Sequence, residues 1–451
     1  MNQSPFVHRT KDLPENRDAI FYLAASTLKQ HLDHSTMDKN KKKVLSRWAL
    51  SWTSRKVKRC LLLALFATLL AKFFETLGFY ESSQSISGQE TSKFDLQSFG
   101  KIDASVIRGS NDGICRRQMR DKSRTNFNDD LKSLWNDMIA KPVDGTKQLR
   151  LTNFIPRKDE VPCNDVVLAT HISAERSHVL LAQARYWGGP ISAAVYINGY
   201  EQINIFHQFY AENADQLRNT TFHFLLEDTT EPYAHNILRN LALMNIESDY
   251  FFATDADHIP SPNAHDRLYN LLLTNHEFKS ILCSKTLFVF PAFDVFPRKS
   301  KSRASHDMLP RSKDELLFKV KRKKIAPFHA ICVGCHGPTN FEKWYNYTAG
   351  DFYPITNTTW QFEPYVMGYR HGMPQYWEDF RGFGKNLLSW FVELSAAGYE
   401  YAVLRDFWVG HLVHPFNLFK EEAGRERNAP HWEAFKNHIQ DVYGIAVQDG
   451  H

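Results

Sequence analysis

A chain of 451 residues, 43% of them hydrophobic, can build one large domain or two of ordinary size around a sizeable core. Its net charge of +5 comes partly from one basic stretch, Lys41, Lys42, Lys43, Arg47, Arg55, Lys56, Lys58 and Arg59, directly before an apolar run. Nucleic-acid binding needs a basic face on a folded domain, so that class is excluded and the charge reads as membrane topology.

Residues 1–59 read as a polar cytosolic tail. Cys60 to Ala71 carries no charge, and Phe73, Phe74, Leu77, Phe79 and Tyr80 extend the apolar character past Lys72 and Glu75. Those two charges are three apart, so on a helix they can pair or snorkel. A full span takes about 20 mostly apolar residues. Residues 60–80 therefore read as a short transmembrane signal anchor, the alternative being a buried helix of a soluble domain. A cleaved signal peptide would occupy the first ~15–30 residues. The basic flank stays in the cytosol, which puts everything after Tyr80 in the lumen. Three Asn-x-Thr triplets, starting at Asn219, Asn346 and Asn357, agree with a lumenal, glycosylated chain. So do five cysteines beyond the anchor, Cys115, Cys163, Cys283, Cys332 and Cys335, of which an oxidising lumen could pair four.

Residues 81–160 read as stem and linker, with 81–125 rich in Ser, Gln, Asp and Gly. Near its end Phe127, Leu131, Leu134, Trp135, Met138 and Ile139 recur at helical spacing, which predicts an amphipathic helix docked on the following domain. Residues 161–451 form that domain. Val166 to Ala169 predicts a buried strand, Ala174 to Trp187 a helix and Ile191 to Ile197 a strand. Ile203 to Tyr210 predicts a helix, Thr221 to Leu226 a strand, Tyr233 to Met244 a helix and Tyr250 to Thr254 a strand. This alternation predicts an α/β fold with a mostly parallel, doubly wound sheet. Such sheets bind ligands beyond the carboxyl ends of their strands.

The last of these strands runs directly into Asp255-Ala256-Asp257. Two carboxylates one residue apart, where a strand turns into a loop, can converge on one divalent cation shared with substrate phosphates. The other reading is a capping or solvated loop. Thr170 and Arg176, at the end of the first strand and the start of its helix, are placed for a nucleotide. Cys332-Val333-Gly334-Cys335-His336 matches the spacing of a haem c site or half a zinc site, but the further ligands either would need are not evident, leaving a disulfide or packing role.

From about Val166 to Pro415 the chain resembles the LARGE-type and β-1,4-glucuronyltransferase family of dystroglycan-modifying enzymes. The resemblance rests on blocks in the family's order: HISAERSHVLLAQARYWGGPISAAVYI from His171, AHNILRNLAL from Ala234, TDADHIP from Thr254, HGPTNFEKWYN from His336, FEPYVMG from Phe362, FRGFGKN from Phe380 and HLVHP from His411. It implies a GT-A type fold, a nucleotide-binding α/β half fused to an acceptor-binding half. It implies a UDP-sugar donor, Mn²⁺ with Mg²⁺ as the substitute, and an acceptor that is a glycan or glycoprotein. Asp255, Asp257 and His411 are then the metal ligands, with His414 as fallback, and Asn236 and Arg239 lie on the donor side. An inverting transferase also needs a base to take the acceptor's proton. Glu378 and Asp379 are the candidates, although related sequences carry an acid where this chain has Trp377. The implied enzyme is a single-pass Golgi transferase of glucuronic acid or N-acetylglucosamine, alone or in an oligomer with other glycosyltransferases. The rival readings are an inactive lumenal glycan-binding member of the family, or a phosphohydrolase or nucleotidyltransferase using the same acidic pair.

Overall fold

A helix with one apolar stripe needs a surface to bury it. In the computed structural model, which describes residues 127–142, 146–297, 304–413 and 418–447, the helix Phe127–Ala140 buries Phe127, Leu131, Trp135 and Met138. The Phe127 ring meets Phe206 and Tyr210 of the helix Tyr200–Asn213 at 6.3 and 5.3 Å, so the expected docking is present. Next, β1 (Gln148–Ile155) joins the central sheet as its edge strand. Composition assigns both elements to stem and linker, yet they pack as part of the folded domain. In β1 only Phe154 and Ile155 are buried, which is why it carries little apolar signal. The anchor at 60–80 lies outside the described residues, and no helix among those described is long and apolar enough to cross a membrane.

The apolar runs become strands buried on both faces. β2 (Val166–Ser173), β3 (Ile191–Ile197), β4 (Thr220–Glu227) and β5 (Tyr250–Ala253) pair in parallel, in the order β4-β3-β2-β5. Alternate residues feed two cores. Val166, Leu168, Phe222, Phe224 and Phe252 face the side covered by Tyr200–Asn213. Val167, Ala169, Leu225 and Phe251 face the helix His235–Leu243. The chain leaves β2 for β3 and β4 on one side and returns to β5 on the other, so β2 and β5 form the topological switch point.

The second half is mixed. β6 (His258–Pro260) follows the acid turn. Then come β7 (Thr286–Phe290), β8 (Ala292–Val295), β9 (Ile325–Pro327), β10 (Phe352–Pro354), β11 (Tyr365–Tyr369), β12 (Glu400–Leu404) and β13 (Val409–Leu412). The central sheet runs β1-β4-β3-β2-β5-β11-β7-β12-β10, with β11 antiparallel to both β5 and β7. A second sheet, β6-β13-β8-β9, stands beside the acid turn. The architecture is the expected α/β fold, with the parallel pattern concentrated in the β4-β3-β2-β5 half. The helix Leu418–Tyr443 closes the domain, burying Trp432, Phe435 and Ile439 with Phe380 and Leu388.

Candidate active site

The acid turn begins where β5 ends. The Thr254 N–H donates to the Ala169 carbonyl of β2, which keeps β2 and β5 zipped to their carboxyl ends. The His258 N–H then donates to the Asp255 carbonyl at 3.0 Å, a tight turn that throws Asp255 and Asp257 into different surroundings.

Asp255 is bonded to buried partners. Its Oδ1 accepts from Arg239 Nη2 at 3.0 Å and pairs with His171 Nε2 at 3.1 Å. Arg239 is buried and also donates to Asn236 Oδ1 and Asn386 Oδ1. Asn236 in turn donates to the carbonyls of Trp377 and Asn386. Both residues expected on the donor side therefore sit in the wall behind Asp255, where they fix its carboxylate. Burial alone would raise the Asp255 pKa, but Arg239 and the His171 hydrogen bond hold it well below the usual carboxylate range. Burial drives the neighbouring His171 down despite its bond to Asp255, and pushes His235 down to about 3.

Asp257 meets a more exposed arginine, although its own side chain is the less exposed of the two carboxylates. Its Oδ2 accepts from Arg176 Nη2 at 2.9 Å and its Oδ1 pairs with His258 Nδ1 at 3.1 Å. Its carbonyl accepts the Leu412 N–H at 3.1 Å. That bond, and the register His411 opposite His258, bring β13 against the turn. The rings of His258 and His411 stack at 4.7 Å. His411 Nδ1 is paired with Asp294 Oδ1 of β8 at 2.8 Å, the way a carboxylate commonly orients a metal-binding imidazole. Gly410 permits the fit, because a Cβ there would stand 2.7 Å from Leu309 Cδ2.

Three of the expected residues are thus gathered around one turn, although no group of three or more His, Cys, Asp or Glu side chains closes on a common point among the described residues. Each carboxylate instead meets an arginine. The donor set of two carboxylates and an oriented imidazole suits a hard to borderline divalent cation. His414 lies outside the described residues.

Thr170 is buried, and its hydroxyl has no hydrogen-bond partner. With Arg239, Asp255, Tyr365 and Tyr376 it lines an internal space of about 20 Å³. That is room for one water molecule, far below what a nucleotide requires. Arg176 is about half exposed, on the open side of Asp257. Glu378 is clamped by Arg150 at 2.7 and 3.0 Å, and Asn240 also donates to it at 3.0 Å. Asp379 is exposed and accepts from Trp377 Nε1 at 3.1 Å.

Sequence reasoning missed His171, His258 and Asp294. For Asp294 a signal exists, since one acid inside the apolar run Pro291-Ala292-Phe293-Asp294-Val295-Phe296 is the informative kind of residue. Cys332 and Cys335 form a disulfide, Cys163 is also disulfide-bonded, and Cys283 is free. Asn346 and Asn357 are exposed, whereas the side-chain oxygen of Asn219 is buried without a partner.

Residues 226–444 match the family described as glycosyl-transferase for dystroglycan. These residues carry a domain of this glycosyltransferase family. It is 31% identical over 294 residues to xylosyl- and glucuronyltransferase LARGE2s of Gallus gallus, covering 63% of this chain and 37% of that protein. It is likewise 31% identical over 305 residues to xylosyl- and glucuronyltransferase LARGE1 of Mus musculus, covering 65% of this chain and 37% of that one. The chain thus spans little more than a third of the length of these relatives. A solved structure of GalNAc-T7 with UDP, GalNAc and Mn²⁺ aligns with 61% of this chain and 49% of its own at 9% identity and a TM-score of 0.35, too slight a likeness to argue from.

Proposed function

We propose that this chain transfers a sugar from a UDP-sugar to a glycan terminus, with inversion, and that Asp255, Asp257 and His411 hold a divalent cation, Mn²⁺ or Mg²⁺. One observation carries the reading: β13 delivers an imidazole, already oriented by Asp294, against an Asp-x-Asp turn at the sheet's switch point. When bound, the cation supplies charge neutralisation for the departing diphosphate. The chain's own part is positional. Arg239 and His171 hold Asp255 ionised and fixed. Arg176, exposed beside Asp257, is free of packing constraints and can turn to a phosphate by its two-pronged guanidinium. The names of the relatives favour glucuronic acid over N-acetylglucosamine as the sugar moved.

A single-pass Golgi anchor at 60–80 with a lumenal domain fits the basic flank, the exposed Asn346 and Asn357 sequons and the disulfides. A second reading, an inactive glycan-binding member of the family, is favoured by the arginine on each carboxylate, an arrangement that keeps the pair neutralised without a cation.

The discriminating experiment is UDP release from UDP-sugars by the full-length protein in detergent, with and without Mn²⁺. Turnover that needs Mn²⁺ and is lost in Asp257→Ala supports the enzyme. Folded wild-type protein that releases UDP from no donor, with any metal, leaves the binding protein.

A further inference from the structure

The hydroxyl that attacks the sugar must lose its proton, and both acids read from the sequence are poorly placed for it. Glu378 spends its oxygens on Arg150 and Asn240. Asp379 is an exposed surface acid. Resting on the glycosyltransferase reading above, we propose that Glu363, at the entrance to β11, is the group that takes the acceptor's proton.

The position is fixed by the backbone. A residue before proline is held extended, and Glu363 precedes Pro364. Its N–H donates to the Cys335 carbonyl at 3.1 Å, on the turn bridged by the Cys332–Cys335 disulfide. Two residues on, Tyr365 faces the acid turn, its ring 4.1 Å from that of His258. Glu363 lies close enough to Tyr365 for their charges to interact. The charged and titratable groups that face it come from four places: Arg239, Asp255, Lys385 before the helix Asn386–Ala396, and Tyr365 at the start of β11. Lys385 itself lies over the rings of Trp360 and Trp432, at 4.7 and 4.3 Å.

The carboxylate of Glu363 is partly buried and makes no hydrogen bond or ion pair with a described residue. Structural acids in such places are paired, because an unpaired one costs stability. An unpaired acid beside a site is a candidate for chemistry. Burial also lifts its pKa to about 7, against the opposing pull of Arg239. A base poised there is ionised in about half of the molecules at neutral pH and still basic enough to accept a proton. The step balances: the acceptor oxygen bonds to the anomeric carbon, the bond from that carbon to the UDP oxygen breaks, UDP leaves with the electron pair, and the hydroxyl proton ends on Glu363.

The test uses the full-length protein with Mn²⁺, UDP-glucuronic acid and a panel of 4-nitrophenyl β-glycosides as acceptors. Glu363→Gln is expected to lower kcat by about a hundredfold or more while UDP affinity, measured by titration calorimetry, stays within about twofold. Wild-type kcat/KM should rise with pH through about 7 and level off above it, and the variant should lose that limb. Glu363→Asp, which preserves the charge, should keep part of the rate and confirms that the position tolerates change. Wild-type kcat in Glu363→Gln overturns the assignment, as does transfer that fails in Asp379→Asn but survives in Glu363→Gln. Absence of transfer by the wild type from UDP-glucuronic acid, UDP-xylose and UDP-N-acetylglucosamine alike overturns the glycosyltransferase reading itself, and the assignment with it.

Discussion

The two sides of the acid turn are built on opposite principles. On the inner side, Asp255 meets a buried arginine and a buried histidine, and the arginine is tied to two asparagines whose other bonds go to backbone. On the outer side, Asp257 meets an arginine whose side chain is 46% exposed, against 9% for Arg239. The inner pair sets a buried guanidinium against a carboxylate that is 28% exposed, and breaking it strands that charge beside the core. The outer pair sets a half-exposed guanidinium against a carboxylate that is 16% exposed, and the guanidinium can swing away at little cost. One arginine is locked in place, and the other can leave its carboxylate.

Substitutions can break this contrast, and the largest effect belongs to the open side. Asp257→Ala should cut Mn²⁺-dependent UDP release by about a thousandfold, since a cation contributes several kcal/mol to a departing diphosphate. Its unfolding midpoint should stay near wild type, and retained turnover would remove the cation from the scheme. On the inner side the expected damage is to the fold. Arg239→Met strands the Asp255 charge and should destabilise the protein by about 3–5 kcal/mol in urea unfolding; a loss under 1 kcal/mol would mean that the inner side is as loose as the outer. Asp294→Ala should weaken Mn²⁺ binding by about 10–100-fold, read by titration, because His411 loses its orienting partner. Arg176→Ala should change stability by no more than about 1 kcal/mol and show instead as a raised KM for the donor. An unchanged KM would sever Arg176 from the phosphates.

A control lies away from the turn, where Arg381 clamps Glu227 with two hydrogen bonds. Burial would raise the Glu227 pKa, but Arg381 leads the hydrogen bonds that lower it below 4.5. Its contribution is thus full above that value and fades as the pH falls through the depressed one. Glu227→Gln should be less stable than wild type at pH 6, with the gap closing in acid. A gap independent of pH would assign the effect to packing.

The inner side was largely legible in the sequence. β2, β3, β4 and β5 are buried on both faces, so their residues read as unbroken apolar runs, and the acid pair directly follows one of them. The outer side was not. β6, β8, β9 and β13 are three or four residues long, too short for any periodicity to register. Their pairings reach across the chain, so nothing local marks His411 as a neighbour of His258. His411 came from the resemblance to a family, whereas Asp294, which steadies it, was not found by either route. Arg239 was read as a donor-side residue, and the structure puts it behind the carboxylate, a place that depends on Asn386, 147 positions away.

The order of synthesis gives the second sheet a consequence of its own. Strand β13 lies between β6 and β8, and its residues are made about 150 positions after the acid turn. A growing chain can assemble the β4-β3-β2-β5 layer, with both aspartates in place, well before residue 411 has left the ribosome. Until it does, His258 lacks the strand that stacks upon it, and Asp294 holds no imidazole. Ribosome-bound chains stalled short of Val409 should therefore carry the acidic pair without the means to grip a cation tightly.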